Sequence, residues 1–148
     1  MSPLKNSLTE AMKDAMRAKK KFRLGVIRMT LAEIKRVEVD ERVDVDDARC
    51  LAIIDKMSKQ RRDAANQFVD GGRQDLADNE LAEVEVLKEF LPAQLTDTEI
   101  ISLIDEAIVT TGASGPQSMG QVMGQLKPQV QGRADMQVIS ILVKERLN

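Results

Sequence analysis

The sequence contains no histidine and a single cysteine, Cys50. Histidine is the commonest general base and metal ligand in proteins, so its absence excludes every histidine-dependent triad and argues against a zinc site. One cysteine cannot form an internal disulfide bond, which indicates a compartment that keeps thiols reduced. Cys50 falls on the apolar stripe of a predicted helix, and we interpret it as a core residue.

Aromatic residues are almost absent, because the chain of 148 residues has three Phe and no Trp or Tyr. The core must therefore be built from Leu, Ile, Val, Ala and Met, a composition that suits packed helices better than a sheet. All three Phe fit the apolar stripes of predicted helices. We therefore do not expect them to serve as stacking platforms for nucleic-acid bases.

Long apolar segments are also missing, and no run approaches the roughly 18 residues that suggest a membrane span. The first residues, MSPLKNSLTEAMKD, lack the apolar centre of a signal peptide and carry acidic residues that transit peptides avoid. We therefore expect a cytoplasmic protein that has no membrane partner.

Glycine-rich phosphate loops do not occur, neither as Gly-x-x-x-x-Gly-Lys-Ser/Thr nor as Gly-x-Gly-x-x-Gly. The net charge is −2, although ten Lys and Arg stand against three Asp and Glu in residues 1–36. This balance does not by itself suggest a polyanionic partner, and DNA is not expected to bind. We predict no catalytic residue, no metal and no cofactor.

Helical periodicity runs through the whole chain and predicts an all-α fold with seven helices. Capping residues mark several helix starts. The first helix has two competing candidates, Ser2 before Pro3 and a capping box of Ser7 with Glu10, and later helices have Thr96 with Glu99 and Ser114 with Gln117. We expect Pro128 to end the sixth helix, because proline disfavours helical geometry in the residue before it.

Pro92 follows the fourth predicted helix and begins a junction, PAQLTDTE, before the fifth. The sequence therefore predicts two domains, an N-terminal four-helix domain over residues 1–92 and a three-helix tail domain over residues 93–148.

Two glycines, Gly120 and Gly124, interrupt the sixth helix four residues apart, and each costs a helix roughly 0.5–1 kcal/mol relative to Ala. Two interpretations explain what could offset this cost in helix stability. The missing side chains allow tight packing on a neighbouring helix inside the tail. Alternatively, they leave a flat surface on which a partner, such as a sugar-phosphate backbone, can dock.

The segment MGQVMGQLKPQVQGRADMQVISILVKERL resembles the tail that YqeY proteins share with GatB, a subunit of the glutamine-dependent amidotransferase that corrects mischarged tRNA. Other stretches are similar to YqeY proteins as well, namely RLGVIRMTLAEIKRVEV, KQRRDAANQF and GRQDLADNELAEVEVLKEFLPAQLTDTEI. Met136 departs from the pattern, since many relatives are expected to have Gly after Gly-Arg-Ala-Asp.

This resemblance implies a four-helix domain followed by a GatB/YqeY-type tail, and a tail that contacts tRNA. We therefore expect an accessory protein that associates with tRNA, or with a tRNA-dependent amidotransferase and the aminoacyl-tRNA machinery. The alternatives are a glutamine-dependent carbon–nitrogen ligase and a helical protein–protein adaptor. The catalytic module of GatB has no counterpart in the sequence.

Two groups of cations are candidates for binding RNA or a partner. The first lies in the tail, next to the glycines: Lys127, Arg133, Lys144 and Arg146. The second lies near the junction of the first two helices: Lys19, Lys20, Lys21, Arg23 and Arg28. For this second group, the alternative is a solvated turn whose cations pair with nearby Asp or Glu.

Overall fold

A computed structural model describes residues 2–148, and within that range the chain is all-helical. This confirms the all-α prediction. The helices follow one another as α1 (Pro3–Arg17), α2 (Lys21–Glu41), α3 (Asp47–Asp70), α4 (Gln74–Lys88), α5 (Asp97–Thr111), a short 3₁₀ turn (Pro116–Ser118), α6 (Met119–Val130) and α7 (Met136–Leu147).

The contacts of the chain group it into two compact units, an N-terminal unit (Met1–Pro92) and a tail unit (Ala93–Asn148). Each unit has an apolar core of its own. The core of the N-terminal unit centres on Leu8, Ile27, Ile34, Ile54 and Leu87.

In the N-terminal unit, α3 and α4 pack along each other as a helical hairpin. The hairpin turns at Gly72, whose positive φ of 76° is a conformation that L side chains rarely adopt. Past this residue, the Arg73 amide donates a hydrogen bond to the Phe68 carbonyl at 2.7 Å, which closes the end of α3. The sequence GG therefore sets the reversal that brings α4 back onto α3.

The start of α1 is fastened to the start of α3. Ser2 caps α1 as predicted, since its hydroxyl accepts a hydrogen bond from the Lys5 amide at 3.1 Å. The same hydroxyl is hydrogen-bonded to the Asp47 carboxylate, which also accepts from the Leu4 amide at 3.1 Å. Beside it, Lys5 Nζ lies 2.5 Å from Glu38 Oε2 and ties α1 to α2.

The tail unit packs α5, α6 and α7 around one core, and it begins with the predicted capping box. Thr96 Oγ1 accepts from the Glu99 amide at 3.2 Å, and the Glu99 carboxylate accepts from the Thr96 amide at 3.1 Å. The core residues come evenly from the three helices: Ile100, Ile104, Ala107, Val122, Leu126, Val130, Ile139, Val143 and Leu147.

The prediction for the ends of α6 is wrong. Ser114 and Gln117 form no capping box: Ser118 Oγ instead bonds back to the Ser114 backbone, and a 3₁₀ turn precedes α6. Nor does Pro128 end the helix, which continues to Val130. Pro128 removes only one helical hydrogen bond, and two further residues of helix bring Val130 into the core, where it is fully buried.

The apolar periodicity of the sequence predicts that Leu81, Val138 and Ile141, like Phe22, face the core, and for these four residues the prediction is wrong. Leu81 of α4 and Phe22 of α2 keep 43% and 46% of their surface in water. In α7, Val138 and Ile141 are 46% and 59% exposed. The apolar run VISILV leaves several helical faces possible, and packing selects the face of Ile139 and Val143.

Glu38 is one of the carboxylates that link pH to the stability of the N-terminal unit. The Lys5 ammonium, together with the Val45 amide 3.1 Å away, lowers its pKa from 4.5 to about 2. In the unfolded chain Glu38 takes up its proton at the higher pH. Its contribution is therefore present above pH 4.5 and is lost as the pH falls through the folded pKa.

We expect Glu38→Gln to weaken this loss of stability between neutral and acidic pH. The glutamine side chain keeps an oxygen for the Val45 amide but has no charge to titrate. The measurement is the urea midpoint of wild type and variant at about pH 7 and about pH 3. Glu85→Gln, which alters an exposed ion pair with Lys88, is the control and should follow the wild-type curve. An equal acid-induced loss in Glu38→Gln and wild type would contradict the assignment.

Candidate nucleic-acid interface

The surface of α6 carries the glycine strip, formed by Gly120 and Gly124. Both residues are exposed, and a Cβ atom placed on either would meet no atom within 4 Å, the backbone of α6 itself aside. The interpretation that these glycines pack against another helix of the tail is therefore wrong for the part of the chain described. They form an open strip of bare backbone.

The opposite face of α6 explains why the glycine strip faces water. Val122, Leu126 and Val130 recur every four residues and are fully buried in the tail core. Because α6 advances about 100° per residue, burying this line turns Gly120 and Gly124 outward. The glycine strip is thus a direct consequence of how α6 is anchored.

Pro128 follows Gly124 by one helical turn and alters the strip further. Pro128 has no N–H, so the Gly124 carbonyl lacks the donor that an α-helix ordinarily supplies from four residues later. This carbonyl belongs to an exposed glycine, where a donor from a ligand can reach it. The strip therefore combines open space with a carbonyl that receives no hydrogen bond from the residue four positions later.

Two of the four tail cations are unengaged, and both lie at helix ends. Lys127 is in the last turn of α6 and Lys144 in the last turn of α7. Both side chains are exposed, and neither forms an ion pair with another residue of the described range. Arg146 is 3.4 Å from Asp105 of α5, an exposed pair of small energetic value.

Arg133 has a structural contact that the sequence did not reveal. Its Nε donates to the Ala93 carbonyl at 3.1 Å, and its own carbonyl accepts from the Leu95 amide at 2.9 Å. Gln94 Nε2 also donates to the Gly132 carbonyl at 3.1 Å. The loop between α6 and α7 thereby holds the segment that leads into α5, so part of Arg133 is committed to the fold.

Met136, at the start of α7, packs against the tail core and is partly buried. Asp135 caps this helix by accepting from the Gln137 amide at 2.9 Å. The Met136 side chain, which replaces the expected Gly after Gly-Arg-Ala-Asp, therefore points toward the tail core and adds apolar contact there.

The second group of cations lies in the N-terminal unit, at the turn between α1 and α2. Lys19, Lys20 and Lys21 are exposed, and none of them is paired with an acid in the structure as described. Arg23 differs, because it pairs with Glu89 and lies 5.8 Å from the centre of the Phe90 ring. The interpretation of this group as a neutralised turn thus holds for Arg23 alone.

A groove of about 640 Å³ lies between α2 and α3. Two of its lining arginines pair with acids of the same groove: Arg36 with Glu33 and Asp40, and Arg49 with Glu41. Nowhere in residues 2–148 do three His, Cys, Asp or Glu side chains gather as a metal site would require.

Cys50 is fully buried, and burial raises the pKa of its thiol. Because the thiolate is the nucleophilic form, this environment favours a packing role, as expected from the sequence. The helices of the described range are each too short or too polar to span a bilayer.

The model of the YqeY family, described as Yqey-like protein, matches residues 5–147. The chain belongs to the YqeY family. Curated relatives named "Altered inheritance of mitochondria protein 41, mitochondrial" match as well. The one from Pyrenophora tritici-repentis is 30% identical over 138 residues, which cover 90% of this chain and 75% of that protein. The one from Lachancea thermotolerans is 31% identical, with 74% and 60% covered, and the one from Kluyveromyces lactis is 33% identical, with 59% and 48% covered.

These relatives correct the expected location. Their names place them in mitochondria, so the expectation of a cytoplasmic YqeY protein is wrong on this finding. The expectation rested partly on a single cysteine and the absence of long apolar runs. Both properties suit any aqueous compartment that keeps thiols reduced, and so they do not separate the cytoplasm from the mitochondrial interior.

Because a methyl group at either position of the glycine strip enters open space, we expect Gly120→Ala and Gly124→Ala to stabilise the protein. Each should raise the free energy of unfolding by roughly 0.5–1 kcal/mol, the difference in helix propensity. Urea denaturation measures the change.

Gly112→Ala in the same tail unit is the matched control. Gly112 has the same free space around it but a φ of 66°, so an Ala side chain there is strained and should destabilise. Destabilisation by Gly124→Ala would show that the strip is covered in the folded protein.

Proposed function

We propose that this YqeY protein is an accessory protein that binds tRNA through the tail unit and catalyses no reaction by itself. The observation that carries the proposal is the exposed glycine strip of α6, with the unpaired Lys127 one turn beyond Gly124. Lys144 of α7 adds a second unpaired cation in the same unit.

The glycine strip and the lysines suit a sugar-phosphate backbone for separate reasons. Bare helix backbone lets a bulky chain approach closely, and the Gly124 carbonyl, which Pro128 leaves without its usual helical donor, can accept a hydrogen bond from a ribose 2′-hydroxyl. The lysines supply charge, and every phosphate they neutralise makes binding more sensitive to salt. Few cations and no base-reading set of side chains favour a structured RNA recognised by shape.

Membership of the YqeY family also supports the proposal of tRNA binding. The tail resembles that of GatB, which works on mischarged tRNA, and this resemblance suggests the tRNA-dependent amidotransferase and the aminoacyl-tRNA machinery as the setting. The mitochondrial relatives suggest that this setting is mitochondrial. The carbon–nitrogen ligase alternative stays a prediction of the resemblance.

We also propose that the two compact units are separate domains, with residues 93–148 forming a GatB/YqeY-type tail domain. Its complete apolar core supports this division. Residues 93–148 expressed alone should be helical by circular dichroism and unfold in one cooperative thermal transition. A broad, non-cooperative loss of helicity would contradict a separate tail domain.

The double variant Lys127→Gln/Lys144→Gln tests the tail in the full chain. We expect weaker binding of a transcribed tRNA, and a salt dependence of log affinity that is shallower by about 2, one for each lost phosphate contact. Fluorescence anisotropy over a salt series measures both quantities. Arg133 is left intact because its contact with Ala93 would confound the result.

The matched control is Lys13→Gln/Lys88→Gln, which removes the same charge from two exposed, paired lysines of the N-terminal unit. It should bind like wild type. Equal binding by the tail variant and this control would remove the tail lysines from the proposal.

A protein–protein adaptor is the second candidate, because Val138 and Ile141 expose apolar surface on α7. A partner docked there would be lost in Ile141→Glu and retained in the lysine variant. That pattern, together with the absence of tRNA binding, would replace the tRNA proposal.

A further inference from the structure

One line of residues along α2 combines cations with very small side chains. Lys21, Gly25, Arg28, Ala32 and Lys35 are spaced alternately four and three residues apart, and all are exposed. At about 100° per residue they stay within roughly 40° of a single line, and they extend over about 21 Å of helix. We call these five residues the α2 ridge.

Further cations extend the ridge at both ends. Lys19 and Lys20 precede it in the turn after α1, and Arg42 follows as the exposed C-cap of α2. The ridge and its extensions thus carry six cations.

The acids of α2 are all engaged elsewhere. Glu33 and Asp40 both pair with Arg36, at 2.5 Å and 2.9 Å. Glu41 pairs with Arg49 of α3 at 2.6 Å, and Glu38 pairs with Lys5 of α1 at 2.5 Å.

No acid of α2 is therefore left for the cations of the ridge. Lys21, Arg28 and Lys35 have no ion-pair partner within residues 2–148, and neither do Lys19, Lys20 and Arg42. The helix sorts its charges, with paired acids on the sides and unpaired cations along one outer line. An overall net charge of −2 hides this local excess of positive charge.

The residues between the cations leave the ridge accessible. Gly25 has no side chain, a Cβ there would meet nothing within 4 Å, and Ala32 adds only a methyl group. At the start of the ridge, Phe22 exposes 46% of its surface next to Lys21. An exposed aromatic ring beside cations is a stacking surface for an unpaired base.

We propose that the α2 ridge is an RNA-binding surface, which contacts the phosphate backbone through Lys21, Arg28 and Lys35 in addition to the contact made by the tail. A regular row of cations with bare backbone between them complements a chain of regularly spaced phosphates. A helix that lies on a membrane combines its cations with a continuous face of large apolar side chains. In the α2 ridge only Gly25 and Ala32 stand between the cations, and the exposed Val39 is the single large apolar residue that follows on the same line before Arg42. This inference depends on the proposed function in one respect only, which is that RNA is the ligand.

The test compares three variants of the full chain with wild type, using a transcribed tRNA as the probe. Arg28→Gln/Lys35→Gln alters the ridge, Lys127→Gln/Lys144→Gln alters the tail, and Lys13→Gln/Lys88→Gln is the control of equal charge. We expect the ridge variant to bind roughly tenfold more weakly than the control, with a salt dependence shallower by about 2. Thermal unfolding of each variant checks that the fold is intact, and Arg28→Lys/Lys35→Arg should restore binding.

The outcomes separate this inference from the proposed function. Loss in the ridge variant supports the ridge, whether or not the tail variant also loses affinity. Binding by the ridge variant equal to that of the control overturns the ridge, even where the tail variant fails. The absence of tRNA binding by wild type overturns both proposals. Binding of wild type to phosphatidylserine vesicles in place of tRNA overturns the ridge as an RNA site and assigns it to lipid.

Discussion

The burial of one face of α6 is the constraint on which the candidate interface depends. Val122, Leu126 and Val130 form the side of α6 that closes the tail core, and the geometry of the helix then decides what points outward. Gly120 and Gly124 stand on that outer side, where nothing in the tail unit fills the space they leave. The helix-propensity cost of these two glycines thus has no packing explanation within the tail unit, which is why we propose that a binding partner approaches this surface.

In the N-terminal unit, ion pairing rather than apolar burial determines which side chains α2 leaves free on its outer side. Each acid of α2 pairs with a cation of α1, α2 or α3, and the pairs made by Lys5 and Arg49 connect α2 to α1 and α3. The cations left over gather on the outer line of the same helix. The helical period therefore sorts side chains by role, with structural pairs at the sides and unpaired charge outside.

The chain belongs to the YqeY family. Both candidate surfaces, the glycine strip with its lysines and the α2 ridge, combine exposed glycine backbone with unpaired cations. The three arginines that line the groove between α2 and α3 are ion-paired, and Cys50 is buried in the core. For both surfaces we propose recognition of a polyanion, RNA. The names of the relatives give a mitochondrial location, which the composition did not predict because a single cysteine suits any compartment that keeps thiols reduced.

By themselves, the residues determined the all-α class, the caps at Ser2 and Thr96, and the apolar stripes that build both cores. These features are local, because each depends on neighbours within one or two helical turns. Only the tertiary structure decided which face of VISILV is buried, that α6 continues past Pro128, that Arg133 holds Ala93, and that Gly124 lies open. Each of these depends on contacts between residues far apart in the chain, and packing energy there outweighs the local preference of the residue.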